Sequence, residues 1–196
     1  MRETPLANSP ETVAGLDVSI RGDLAQAAVA VWHVEEQTVV AEAVHRCEVP
    51  FPYVPGLLSF REMPAILPAL DKLDAQPDAF MADSHGRAHP RRFGLACHLG
   101  VVLDWPLLGV AKSRLTGERR GELDAEKGSR VPLTSEGSDE VIGTVLRTRT
   151  DVKPVFVSVG HRLTLRDAEA VTLSVSPRYK IPEPTRRAHK LSRRED

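Results

Sequence analysis

The chain has almost no cysteine, almost no net charge and no long apolar run. Cys47 and Cys97 are the only thiols in 196 residues. Two cysteines cannot build a disulfide framework, and each sits among apolar neighbours, so reduced, buried, structural thiols of the kind found in the cytosol are expected. The formal net charge of −1 gives no global basicity that would announce a nucleic-acid partner. The longest apolar stretch, around Leu95–Leu103, is broken by His98 and falls far short of the roughly 20 residues a membrane helix needs. The opening MRETPLANSPET lacks the apolar segment of a secretory signal. No internal repeat or low-complexity tract is visible. These absences exclude a disulfide-stapled secreted scaffold and a helical membrane protein. They leave the expectation of one cytoplasmic, monomeric domain with no membrane contact.

What is present is an apolar share of 41% and a charged share of 27%, ordinary values for a chain long enough to enclose one core. Charge is unevenly placed. HGRAHPRR (85–92) holds Arg87, Arg91 and Arg92 without an acid, and the C-terminus carries Arg186, Arg187, Lys190, Arg193 and Arg194. Such patches either serve phosphates or remain solvated surface.

Alternation at period two marks strands over 12–20, 25–34 and 38–49, with the polar Glu35-Glu36-Gln37 as a hairpin turn between the last two. The period changes to about 3.6 over Leu57–Leu73, where Pro64 and Pro68 are expected to kink a helix or delay its start. A short strand Ala79–Ala82 ends in Asp83, followed by a helix over about Arg92–Leu103 and a buried strand Pro106–Ala111. Residues 116–138 read as loops and a short hairpin, 140–149 and 155–159 as strands, 164–174 as an amphipathic helix, and PEPTRRAHK as the start of a terminal helix. The fold expected is α/β: a mixed β-sheet, antiparallel meander plus parallel strands, flanked by helices. Residues 1–11 are expected to be flexible, 12–190 to form a single domain, and 191–196 a charged tail.

Three acids sit at the edges of apolar elements. Asp17 interrupts VAGLDVSI, and a carboxylate in an apolar strand costs several kcal/mol, unless it is paired or bound to a cation. Asp83 ends the strand AFMAD, where parallel-sheet proteins present ligand-facing groups. Glu62 either joins these acids or closes a capping box with Ser59. Converging, the three would bind a hard cation such as Mg²⁺ through oxygen. Beyond Asp83, in ADSHGRAHPRRFG, Gly86 allows close backbone approach and His89 is an acid–base or phosphate-contacting candidate. Arg91 and Arg92 fall where a helix begins, a natural phosphate site. Lys112 follows a buried strand, either in a ligand cleft or snorkelling at the surface. Upstream, PFPYVPGLLSFRE (50–62) holds Phe51 and Tyr53 on a proline-stiffened stretch, as core packing or as a projecting tool.

Together, VAGLDVSI, PFPYVPGLLSFRE, DSHGRAHPRRFG, LLGVAKSRL, VSVGHR and IPEPTRRAH resemble the endonuclease V family, the deoxyinosine 3′-endonucleases, in order and spacing over roughly residues 12–190. The resemblance implies a ribonuclease-H-like fold and a Mg²⁺-dependent nuclease, with Mn²⁺ able to substitute. It implies recognition of hypoxanthine in DNA and hydrolysis of the second phosphodiester bond 3′ to it, leaving 3′-hydroxyl and 5′-phosphate ends. Asp17, Glu62 and Asp83 match the family's metal-binding acids, and His189 falls near the same site. Lys112 matches a lysine beside the scissile phosphate and His89 a histidine of the active-site region. Pro52, Tyr53, Val54 and Pro55 match a strand-separating wedge. Ser84, Gly86 and Arg91 are carried as substrate-binding candidates. Relatives usually read Asp-Gly-x-Gly where this chain has Asp83-Ser84-His85-Gly86, and many carry a longer N-terminal segment. Inosine-containing RNA as substrate, or binding without turnover, are the alternatives the sequence leaves open.

Overall fold

The computed structural model describes residues 1–74 and 76–194. The alternating N-terminal segments form β1 (Thr12–Arg21), β2 (Leu24–His33) and β3 (Thr38–Glu48), paired antiparallel as expected. Gly22, at φ 58° in the first position of the two-residue turn between β1 and β2, adopts a conformation L side chains resist.

The chain then crosses through α1 (Leu58–Leu70) to β4 (Ala79–Ala82), through α2 (Leu95–Leu103) to β5 (Leu107–Ala111), and on to β6 (Glu118–Arg119), β7 (Arg130–Thr134), β8 (Val141–Leu146) and β9 (Val155–His161). Two helices close it, α3 (Leu165–Ser174) and α4 (Glu183–Ser192). One nine-stranded sheet results, ordered β3-β2-β1-β4-β5-β9-β8-β7-β6. The pairs β1–β4 and β4–β5 are parallel, and β9 returns antiparallel to β5. This is the mixed, helix-flanked sheet expected from the sequence pattern.

Side-chain alternation sends the two faces of β1 into two cores. Ala14 and Leu16 pack with Met63 and Ile66 of α1 and Leu99 of α2. Val13 packs with Met81, Val157 and Val159, under Ala168 and Val171 of α3. Gly15 and Asp17 share the face of Val13, and there α4 lies on the backbone of β1. A Cβ built on Gly15 would stand 2.1 Å from Pro184 C and 2.3 Å from Thr185 N.

Several boundaries depart from expectation. Pro64 and Pro68 neither delay nor end α1, because both lie inside Leu58–Leu70. The lost main-chain bonds, about 3 kcal/mol each in a helix interior, are offset by a face that buries Met63, Ala65, Ile66, Ala69 and Leu70. Ser59 does not cap that helix: its Oγ meets His98 Nδ1 at 2.9 Å, so the capping-box reading of Glu62 falls. The second helix begins at Leu95 rather than near Arg92, which has φ 54° and so lies in the left-handed region. The amides of Gly94 and Ala96 donate to Gly86 O and His85 O, so the helix start is occupied by main chain and offers no anion site. Within 116–138 the expected loops and short hairpin are present as the antiparallel pair of β6 and β7, and β7 also joins the sheet through β8.

The N-terminal segment, expected to be flexible, lies along the domain: Arg2 N donates to His161 Nδ1, Arg162 N to Arg2 O, and Leu6 N to Asp167. Within the stretch expected as a charged tail, Leu191 and Ser192 belong to α4 and are buried, while the last two residues lie outside the described ones.

Gly15→Ala tests how closely β1 and α4 must approach. Overpacking against main chain costs about 1–3 kcal/mol, which in a domain of this size lowers the melting temperature by about 2–4 °C per kcal/mol. A variant melting with the parent would refute the contact.

Candidate active site

Parallel pairing brings the two acids together. Leu16 of β1 is in register with Ala82 of β4, and Asp83 N donates to Leu16 O, so Asp17 and Asp83 are the next pair along. α4 then delivers His189 to the same point. Asp17, Asp83 and His189 each offer a ligand atom within 4.8 Å of the others. His189 Nδ1 lies 3.3 Å from Asp17 Oδ2 but is buried without a hydrogen bond, as a donor waiting for a cation would be. Two carboxylates and an imidazole form an oxygen-and-nitrogen set that suits a small divalent cation. Ser192, which sequence reasoning missed, donates its hydroxyl to Asp17 Oδ2 at 2.6 Å and fixes that carboxylate. The only signal for it was its spacing of three from His189, which puts both on one face of α4.

Glu62 comes from α1, on the other face of the sheet, and lies outside the 4.8 Å group. Its electrostatics still bind it to the site. Burial first, then the charges of Asp17 and Asp83, push its carboxyl from 4.5 up to about 8. Lys112, directly after β5, places its ammonium against Asp83 Oδ2 and partly offsets the crowding of negative charge.

Asp83 and Lys112 also line a cavity of about 320 Å³, within the size range of small-molecule sites. Its walls include Tyr53, Val54, Leu58, Ser84, His85, His89 and Phe93. Ser84 Oγ is buried there with no hydrogen-bond partner. Burial lowers the pKa of both His85 and His89, keeping the imidazoles neutral near pH 7. His89 Nδ1 accepts from Arg91 N, and His85 Nε2 meets Ser113 O at 3.0 Å.

Over the mouth stands the proline hook. Val54–Leu57 forms a turn with Leu57 N donating to Val54 O, Pro55 at its second position and Gly56 at φ 80° in its third. That is type II geometry, which calls for this Pro-Gly order. Tyr53 is 68% exposed at the tip, so the tucked-in reading of the hook does not hold.

Other expected residues take different places. Gly86 does not line the cavity: its amide donates to Ser158 Oγ and its carbonyl accepts from Gly94 N. Pro52, Pro55 and Arg91 are exposed beside the cavity wall rather than on it. Arg87 and Arg92 are committed to Glu140, so the basic run keeps only Arg91 without an ion-pair partner among the described residues. Cys97 is buried, its thiol pushed up to about 12 by burial, which makes it an inert packing group; Cys47 is half-buried.

A cluster suited to a divalent cation at the end of parallel strands, with an ammonium on one carboxylate and a cavity alongside, fits a hydrolase that works on phosphate esters. The comparisons give the particular family. The sequence model for Endonuclease V matches residues 1–190. Endonuclease V of Nostoc punctiforme is 45% identical over 192 residues, 97% of this chain and 86% of that protein. The crystal structure of Endonuclease V from Streptomyces avermitilis is 49% identical with a TM-score of 0.91, covering 97% of this chain and 83% of that one. A variant of Ciona intestinalis Endonuclease V, in complex with a 23mer DNA containing an inosine followed by a ribo-adenosine, has a TM-score of 0.85 at 28% identity, covering 98% of this chain and 89% of its own. The chain belongs to the Endonuclease V family and is a nuclease, hydrolysing phosphodiester bonds. Among the described residues, no helix is long and apolar enough to cross a membrane.

The raised Glu62 pKa has a measurable sign. The unfolded chain loses this proton near 4.5 and the folded, cation-free chain only near 8. Folding therefore takes up a proton between those values, and stability falls as pH rises through that window. Glu62→Gln removes the ionisation, so its melting temperature should overtake that of the cation-free parent as the pH approaches about 8. A constant difference between the two proteins from about pH 5 to about pH 8 would sink this account of Glu62.

Proposed function

We propose that the chain is a Mg²⁺-dependent DNA repair endonuclease directed at deoxyinosine, cutting the second phosphodiester bond on its 3′ side to leave 3′-hydroxyl and 5′-phosphate ends. Mn²⁺ would serve in place of Mg²⁺. The observation that carries the reading is the meeting of the Asp17–Asp83–His189 cluster with the Tyr53-capped cavity at a shared wall, Asp83 and Lys112.

A cation held by Asp17, Asp83 and His189 would neutralise charge on the phosphate's non-bridging oxygens and activate a water. Glu62 completes the negative field and, once ionised, is a further carboxylate for that cation. Ser192 keeps Asp17 oriented. Lys112, partly exposed beside Asp83, would turn to the phosphate, where its charge stabilises the negative charge that develops in the transition state. Taking a base out of the stack costs a few kcal/mol, and least where pairing is already poor. Tyr53, carried by the Pro52–Pro55 hook, fills the vacated space as apolar wedges do elsewhere. The extruded base enters the cavity, where the free hydroxyl of Ser84 and the neutral imidazole of His89 are available to it, while Gly86 acts from behind the lining through its bonds to Ser158 and Gly94. Arg91, exposed beside the cavity, takes a backbone phosphate.

One observation favours a second reading in which RNA is also cut. The DNA bound to the Ciona relative carries a ribo-adenosine after the inosine. Nicking of matched DNA and RNA strands, each with one inosine, separates the two substrates.

Asp17→Ala and Asp83→Ala should each abolish nicking of an inosine-containing duplex in Mg²⁺; activity retained in either would refute the metal site. Tyr53→Ala should slow cleavage of duplex much more than cleavage of the same inosine strand unpaired. Equal effects, or none, would remove the wedge role.

A further inference from the structure

We propose that Phe51, Phe60, His98 and Phe93 form a stacking platform for unpaired bases next to the cavity. The four rings make one continuous row. Phe51 and Phe60 centroids lie 5.8 Å apart, Phe60 and His98 5.3 Å apart edge-on, and Phe93 and His98 5.6 Å apart. Of the five phenylalanines in the chain, Phe80 is fully buried against Trp105 and Phe156 packs on a smaller core. The other three all belong to this row, and Phe60 and Phe93 are 50% and 40% exposed. Scattered exposed apolar residues carry no meaning, but a contiguous aromatic surface does.

The row is held rigid. His98 Nδ1 is fixed at 2.9 Å by Ser59 Oγ, and Arg61 Nη1 donates to Phe51 O, tying the root of the hook to α1. It also runs on from the site already described, since Phe93 lines the cavity and Phe51 immediately precedes the hook.

What these rings suit is a single-stranded stretch of nucleic acid. In a duplex the base faces are already covered by neighbours, whereas an opened strand presents faces that stack on any aromatic ring regardless of sequence. Exposed Arg91, two residues from Phe93 and unpaired among the described residues, supplies the cation for a phosphate of such a strand. The platform deepens the nuclease reading and rests on it: a strand opened by Tyr53 would be kept open by bases resting on the row.

The test uses an undamaged oligonucleotide, single-stranded or annealed, without divalent cation, so that neither inosine recognition nor cutting enters. Phe60→Ala should weaken single-strand binding roughly 5- to 150-fold, the range for losing one base-stacking aromatic. Duplex binding and the dependence of affinity on salt should stay as in the parent. Phe60→Tyr should restore single-strand affinity, and Phe93→Ala should repeat the loss from the far end of the row. Phe60→Trp provides a direct reporter: its emission should be quenched by the single strand, over a constant background from buried Trp32 and half-buried Trp105. Unchanged single-strand affinity in both alanine variants would overturn the platform and leave the row to a protein contact. Equal losses for single strand and duplex, or an unquenched Phe60→Trp, would overturn it too. A parent that binds single strands through the row yet never nicks inosine-containing strands would sink the deoxyinosine reading alone.

Discussion

The site depends on one close approach, that of α4 to the backbone of β1 over Gly15. Only because no side chain stands there can Pro184 and Thr185 settle on the strand. That seating sets α4 so that His189 reaches the cluster and Ser192 reaches Asp17. The other half of the cluster comes from the parallel register of β1 and β4, which sets Asp83 beside Asp17 through a main-chain bond to Leu16. Two backbone constraints, one between strands and one between a strand and a helix, thus define a point where charge accumulates. The aromatic hook, the cavity and the lysine are arranged around it.

Crowded carboxylates are unstable company, and the molecule answers in two ways. Lys112 pairs with Asp83, and Glu62 holds its proton to about pH 8. Both are provisional arrangements: an ammonium can swing away and a proton can leave. A divalent cation would displace both, which makes the site's charge balance responsive to the ion and to the substrate phosphate. The basic run nearby is less available than its composition suggests, because Glu140 holds two of its arginines.

At the mouth of the cavity, rigidity is the recurrent device. A type II turn stiffened by Pro55 presents Tyr53, Arg61 anchors the base of the same hook, and Ser59 turns from helix capping to hold His98. The wedge role proposed for the hook would need that stiffness, because distorting a nucleic acid is work done against its stacking. The hook leads into α1, which carries both Phe60 of the aromatic row and Glu62, while His98 comes from α2 and Phe93 from just before it.

Much of this was legible in the chain because it is local. Period-two alternation gave the meander within a residue or so at most ends, and the acids stood out because carboxylates beside apolar runs need a partner. The hook was legible because proline restricts its own backbone wherever it occurs. What was misread locally had tertiary causes: α1 keeps two prolines because its buried face outweighs them, and Arg92 was lost as a phosphate ligand to Glu140, 48 residues away. The amides at the start of α2 and the engagement of both main-chain groups of Gly86 have no signature in residue order, and Ser192 had only its spacing from His189. The sequence by itself determined which chemical groups exist and which segments are strand or helix, since those follow from side-chain type and spacing. Only the tertiary structure decided which groups meet, because contacts between residues as distant as Asp17 and Ser192 are set by packing, and packing is a property of the whole chain.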